Sequence, residues 1–260
     1  LYDELTGRGT KNPALPGADV LDMLEREIDV YRQINNPELS GPSSDLSLGV
    51  FQVLSRLNVQ GVRPILLAIS HLPDAEEGYT QVLRLVVTRM TVGNLGTGAI
   101  DRRFGETAKR IAEVGSWREP MAELQHELMP DQDKFLQAVR DRSMNRNLLE
   151  LLRASALTGK LAPIHTNTLH LVKPKSGDWG TADPQAVSRW VNTIGNTVFA
   201  TVSRRPHGTS DWDTFLEDFL PHAVNAGEDI QRFRSYEKWD QHSVKREAEY
   251  IARKAAEVWF

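Results

Sequence analysis

The chain of 260 residues contains no cysteine. That excludes disulfide staples and thiolate metal sites, and it fits a reducing compartment. No apolar run approaches the roughly 20 residues that a membrane span requires. The longest, Pro64–Ile69 and Val82–Val87, are broken by polar residues within a short distance. Leu1–Pro13 has no basic stretch leading into an apolar core, so a secretory signal is not expected. The first residue is Leu rather than Met, and the expectation is a piece of a longer, soluble, cytoplasmic protein with no membrane partner. Aromatic residues make up only 7% of the chain and are scattered, which argues for core positions over a stacking ladder for single strands. Positive charge is not in excess either: the formal net charge is −4. Proteins that coat DNA non-specifically are usually basic, because phosphate contacts need Lys and Arg. The imbalance is local, however, with 17 basic and 21 acidic residues up to Leu149, then 14 of each from Glu150 onward. A basic surface is therefore permitted in the last part. No repeat of constant period and no low-complexity tract is present.

What the chain does have is helical periodicity over its first 157 residues. Pro16-Gly17 precedes a helix with Val20, Leu24, Ile28 and Tyr31 at helical spacing, closed by Asn35-Asn36-Pro37. Ser43-Ser44-Asp45 offers N-caps for a second, with Leu46, Val50, Leu54 and Leu57 inward. Pro64 suits the first turn of a third, and Pro73-Asp74 begins a fourth that continues through Met90. Helices are expected over Ile100–Val114, Glu119–Leu128, Pro130–Val139 and Met144–Leu157, and Thr158-Gly159-Lys160 stops the series. The glycine-rich Gly93–Gly98 is a loop; without a Gly-Lys-Ser/Thr ending or a preceding strand it is not a phosphate loop.

After Gly159 the pattern changes. His165–Val172 alternates, with Thr166, Thr168, His170 and Val172 on one face and Asn167, Leu169 and Leu171 on the other, which predicts a strand. A helix is expected from Pro184 to Ile194 with Ala186, Trp190 and Val191 inward, then a second strand over Thr197–Val202. Asp211–Leu220 is predicted helical, with Phe215 and Phe219 one turn apart, and a last helix runs from about Asp240 to Phe260. The predicted fold class is α+β, predominantly helical: a helical scaffold over residues 1–157, then a small two-stranded unit embedded in helices over residues 158–260.

The candidate chemistry sits in that second part. A His on a strand, with neighbouring leucines anchoring the backbone, is held rigidly enough to deprotonate a water. A lone His is more often structural, but here a strand carrying His170 is followed by Pro174, a second strand at Gly195-Asn196, and a helix. This is the order of a ββα-metal nuclease finger. In such a finger the first strand delivers a general base, an Asn near the second strand orients it, and the helix supplies a metal ligand.

The run Thr168-Leu169-His170-Leu171-Val172-Lys173-Pro174, then Trp179, then Asn192-Thr193-Ile194-Gly195-Asn196, resembles the HNH-type C-terminal domain of GmrSD-like and SspE-like modification-dependent restriction proteins. Thr158-Gly159-Lys160, Ser210-Asp211 ahead of Phe215, Trp239, and Arg246 through Ile251 and Ala255 to Trp259 agree with it. Val87-Thr88-Arg89-Met90 and Phe104 resemble the helical segment between sensor and nuclease in those proteins. The resemblance implies a DNA endonuclease that nicks modified phage DNA with a divalent cation, magnesium or manganese. It also implies an N-terminal nucleotide-hydrolysing sensor domain that this chain does not include. By position, His170 is the general base, Asn196 the Asn of the motif, and Asp211 a metal ligand, with His165 as a weaker substitute ligand. Two departures stand out: Leu169 occupies the place of an acidic metal ligand, and Pro174 follows His170 by four positions where three is usual.

Several of these residues carry a plainer reading beside the chemical one. Gly195-Asn196 is ordinary turn chemistry, and Asp211 is a good N-cap, a role compatible with metal ligation. Lys173, Lys175, Arg204, Arg205 and His207 can touch phosphates or form solvated basic loops. Arg246, with Lys245, Arg253 and Lys254, can meet DNA, but Glu247, Glu249 and Glu257 alternate with them as on a salt-bridged exposed face. A rival function keeps the double-stranded DNA partner without the cleavage: a remodelled finger that grips DNA and relays a signal from the sensor domain.

Overall fold

The computed structural model describes residues 17–42, 44–93, 98–163, 167–180, 183–204, 211–224 and 226–260, with backbone alone at 20, 23, 24 and 226–229. Helices dominate, as the periodicity requires. They are α1 (Gly17–Asn35), α2 (Asp45–Arg56), α3 (Arg63–Ser70), α4 (Ala75–Val92), α5 (Gly98–Val114), α6 (Arg118–Leu128), α7 (Gln132–Asp141) and α8 (Arg146–Thr158). Then follow β1 (Thr168–Leu171), α9 (Pro184–Val191), a 3₁₀ turn (Ile194–Asn196), β2 (Thr197–Ala200), α10 (Trp212–Thr214), α11 (Ala226–Arg234) and α12 (Gln241–Trp259). None of the described helices is long and apolar enough to cross a membrane.

Helix starts follow from capping chemistry. The side chains of Ser44, Asp131, Asn145 and Asp240 each accept from backbone N–H groups in the first turn of α2, α7, α8 and α12, satisfying donors that a helix leaves orphaned. Gly159 ends α8 with φ +68°, and Gly93 ends α4 with φ +90°, both in the left-handed region that glycine adopts without cost. Residues 94–97 of the expected glycine loop lie outside the described residues.

The stripes pack largely as the periodicity predicts. Val50, Leu54 and Leu57 of α2 are buried, but Leu46 is 42% exposed. Ile28 and Tyr31 of α1 are also exposed, while Ile34 is buried in the core and Val30 packs against it. Periodicity marks an apolar face; it does not supply a neighbour to cover it.

β1 and β2 form one antiparallel pair with Leu169 opposite Phe199 and His170 opposite Val198. β2 starts at Thr197 as predicted and stops two residues short of Val202, and β1 stops one residue short of Val172; residues 165 and 166 of the predicted first strand lie outside the described residues. The far edge of β2 is covered by residues 222–224, where Thr201 N–H donates to the His222 carbonyl and Val224 N–H to that of Phe199. The segment predicted as one helix from Asp211 to Leu220 is a single α turn, then a π turn over Phe215–Phe219 and a 3₁₀ turn over Leu220–His222. The wider turn accommodates Phe215 and Phe219, both fully buried with ring centroids 5.5 Å apart.

Two apolar clusters result. The larger joins the helical scaffold to Leu169, Ile194, Phe199 and the face of α12 from Ala248 to Trp259. The smaller gathers Val172, Trp179, Val198, Phe215, Phe219, Phe233 and Trp239 around the other face of the strand pair. The strands are thus sandwiched, and α12 belongs to both layers, through Val244 to the small cluster and through Ile251 to the large one.

Two buried phenols give this packing a pH signature. Burial pushes Tyr79 up to about 12; burial, reinforced by the nearby charge of Glu247, does the same for Tyr236. In an unfolded chain both ionise near 10. The folded state resists that ionisation, so stability is unaffected below pH 10 and falls as pH rises from about 10 to 12. An ultraviolet absorbance titration followed in parallel by circular dichroism should show late-titrating tyrosines whose ionisation coincides with unfolding. If all five tyrosines ionise together near pH 10 with the fold intact, the packing around these two phenols is wrong.

Candidate functional site

Alternation along β1 sends Leu169 and His170 to opposite faces. Leu169 is 6% exposed and enters the large core. His170 is half-buried on the other face, its ring edge-on to Phe219 with centroids 5.1 Å apart. Nε2 of His170 lies 2.9 Å from the carbonyl oxygen of Val202. A carbonyl only accepts, so Nε2 donates and carries the ring proton, and Nδ1 is the acceptor nitrogen. The ring therefore sits in a partly enclosed setting, fixed by an aromatic neighbour and a backbone carbonyl.

Asn196 is fully buried at the start of β2, and its amide makes four hydrogen bonds. Its Oδ1 accepts from Lys173 N–H at 3.0 Å and from Trp239 Nε1 at 2.9 Å. Its Nδ2 donates to the carbonyls of Lys173 at 2.8 Å and Val191 at 3.1 Å. The motif Asn therefore does not touch His170. It is a positioning residue that grips both backbone groups of Lys173, three residues beyond the His, and ties them to α9 and to the entry of α12. Gly195 beside it approaches α12 so closely that a Cβ would fall 2.0 Å from the Val244 carbonyl oxygen and 2.8 Å from the Ala248 nitrogen. The Gly-Asn pair thus does more than end a turn.

Asp211 is exposed and takes the capping role: its oxygens accept from Thr214 N–H at 2.9 Å and Thr214 Oγ1 at 2.6 Å. The Thr214 hydroxyl, then the Thr214 N–H, hold its carboxyl below the usual range. Its link to His170 is indirect: the α turn it caps leads into the π turn that ends at Phe219. His165, Arg205 and His207 lie outside the described residues. Among the described residues no three His, Asp or Glu side chains converge as a metal cradle. The divalent cation implied by the resemblance thus has no ready three-ligand set among the described residues.

The expected phosphate contacts separate into two groups. Lys173 is committed inward: Nζ donates to the Trp239 carbonyl at 2.8 Å and lies 5.3 Å from the Trp179 ring centroid, and burial pushes its ammonium below the ordinary value. Lys175 and Arg204 are exposed, and Arg246 is exposed with its guanidinium 5.2 Å from the Tyr236 ring centroid. On α12, Arg253 pairs with Glu249 and Lys254 with Glu257, the salt-bridged face that the alternation suggested. Glu247 does not share that face. It is fully buried, bidentate to Arg232 at 2.7 and 3.0 Å, and 3.6 Å from Nη2 of the buried Arg153.

Sequence reasoning also passed over Arg146, the first residue of α8. Its Nη2 donates to the Leu169 carbonyl at 2.8 Å and its Nε to Glu150 at 2.8 Å. It lines a cleft of about 360 Å³ together with Leu169, His170, Pro174, Asn192 and Thr197. Only its place at a helix start was visible in the sequence. Comparison with protein-family models gives no match, and a search of curated proteins gives none.

Replacing Asn196 with Ala strands Lys173 N–H, two carbonyls and the Trp239 indole. A single unsatisfied buried group costs about 1–3 kcal/mol, so urea unfolding should show a loss of at least about 2 kcal/mol. A loss below about 0.5 kcal/mol, within the range of an unremarkable surface change, would mean that other contacts hold this loop.

Proposed function

We propose that residues 158–260 act on double-stranded DNA as an HNH-like endonuclease that nicks one strand per event, with His170 as general base. The observation that carries this reading is the orientation of the His170 ring. In the neutral ring the Nε2 proton is directed at Val202, so proton transfer from water would fall to Nδ1. The hydroxide so formed attacks phosphorus, the bond to the leaving ribose oxygen breaks and that oxygen takes a proton from solvent water, and the imidazolium keeps its Nε2–H against the carbonyl. That contact is better matched to the charged ring than to the neutral one. Asn196 supports the step indirectly by fixing the loop that follows β1, and exposed Lys175 and Arg204 offer cations for the duplex backbone. The divalent cation, the modified phage DNA and the N-terminal nucleotide-hydrolysing sensor domain come from the motif resemblance and belong to the proposal.

A second reading is favoured by one specific observation. Leu169, at the place of an acidic ligand in the resembled motif, is a buried core residue. A finger remodelled in this way grips DNA and couples it to the sensor without cutting.

Supercoiled plasmid incubated with the chain in magnesium, in manganese and in EDTA separates the two. The nuclease reading expects open circles that require the metal, and loss of nicking by about a hundredfold or more in His170→Ala, the scale of general-base removal. Retained duplex binding with no nicking under any condition supports the coupling module. Nicking that persists undiminished in His170→Ala overturns the residue assignment.

A further inference from the structure

We infer that Arg146, supplied by the helical scaffold, is a phosphate-binding residue of the His170 site; this rests on the DNA-directed reading above. The geometry is specific. Two contacts on one side of the guanidinium, Nη2 to the Leu169 carbonyl and Nε to Glu150, fix its plane beside the residue that precedes the candidate base. Arginine has five N–H donors; these two bonds leave Nη1 and the second Nη2 hydrogen for an incoming oxygen. The guanidinium is held by two contacts and the side chain is still 62% exposed, so it is ordered without being buried. A fixed, exposed guanidinium suits a planar two-oxygen contact with a phosphodiester better than a flexible ammonium does.

The surroundings narrow the choice further. Among the described residues that line this cleft, Arg146 is the one with a permanent positive charge. Lys173, the cation nearest His170 in the sequence, is committed to the Trp239 carbonyl and the Trp179 ring. Arg246 lies over Tyr236 on α12. Glu150, 23% exposed, acts here as an internal counter-ion that a phosphate would displace or share. The two parts of the chain therefore complete one site: the strand brings the imidazole and α8 brings the cation. The Leu169 carbonyl links them.

The test is duplex binding by fluorescence anisotropy over a salt series, paired with plasmid nicking, for the whole chain and for Arg146→Ala, Arg146→Lys and Glu150→Gln. Thermal melts check that each variant is folded. Arg146→Ala should weaken binding about tenfold, the scale of one charge-assisted hydrogen bond, and lower the salt slope by about one. Arg146→Lys should keep the slope and lose part of the affinity. Glu150→Gln should bind more tightly than the unaltered chain, an effect that a purely structural Arg146 would not produce. Normal binding and slope in folded Arg146→Ala, with nicking unchanged, overturns the proposal while leaving the DNA-directed reading intact. If the unaltered chain shows no salt-dependent duplex binding, both fall together.

Discussion

One buried amide organises the candidate site. Asn196 closes four hydrogen bonds within a space that excludes water, reaching the loop after β1, the end of α9 and the indole of Trp239. A buried amide with every donor and acceptor satisfied fixes a unique arrangement, because each displaced partner would leave an uncompensated polar group. Gly195 makes this possible by letting the turn lie directly on the backbone of α12. Phe199 and Val198 follow from that placement, each facing a different cluster. The position of His170 is set by pairing with Val198, and its ring by Val202 and Phe219.

A second buried node ties this unit to the scaffold. Glu247 on α12 meets Arg232 on α11 and Arg153 on α8, so one carboxylate joins three helices. Burying such charges costs solvation that their attraction only partly returns, and breaking a set by removing one member costs more than the set contributes. The arrangement thus fixes relative placement more than it adds net stability. Together with the Arg146–Leu169 contact and the bond from Met144 N–H to the Asn192 carbonyl, it makes the helical scaffold a structural part of the site. A division of the chain near residue 158 marks where α8 ends, and the packing runs across it.

Local features were legible in the sequence and long-range ones were not. Ser44 announced a helix start, Gly159 announced a stop, and the alternation around His170 sorted Leu169 from the imidazole. Such features depend on residues a few positions apart. The alternating charges of α12 suggested that Glu247 was exposed, because the partners that bury it, Arg153 and Arg232, lie on other helices. Asn196 looked like turn chemistry or a catalytic-motif Asn; its role depends on Lys173 and Trp239, which only the fold brings near. The π turn at Phe215–Phe219 has no local cue, since Phe residues four apart fit an ordinary helix equally well. Arg146 lay unnoticed because its significance is its distance from Leu169, and no spacing encodes that.

These constraints converge on the protonation of one ring. The account requires the neutral His170 imidazole to carry its proton on Nε2, directed at the Val202 carbonyl, with Nδ1 as the acceptor. Long-range proton–nitrogen correlation spectra of the chain with labelled histidine, assigned by comparison with His170→Gln, measure this directly. The prediction is a single Nε2–H tautomer for His170 in the neutral form. A ring protonated on Nδ1, or one exchanging evenly between the two tautomers, would contradict the geometry on which the proposed chemistry depends.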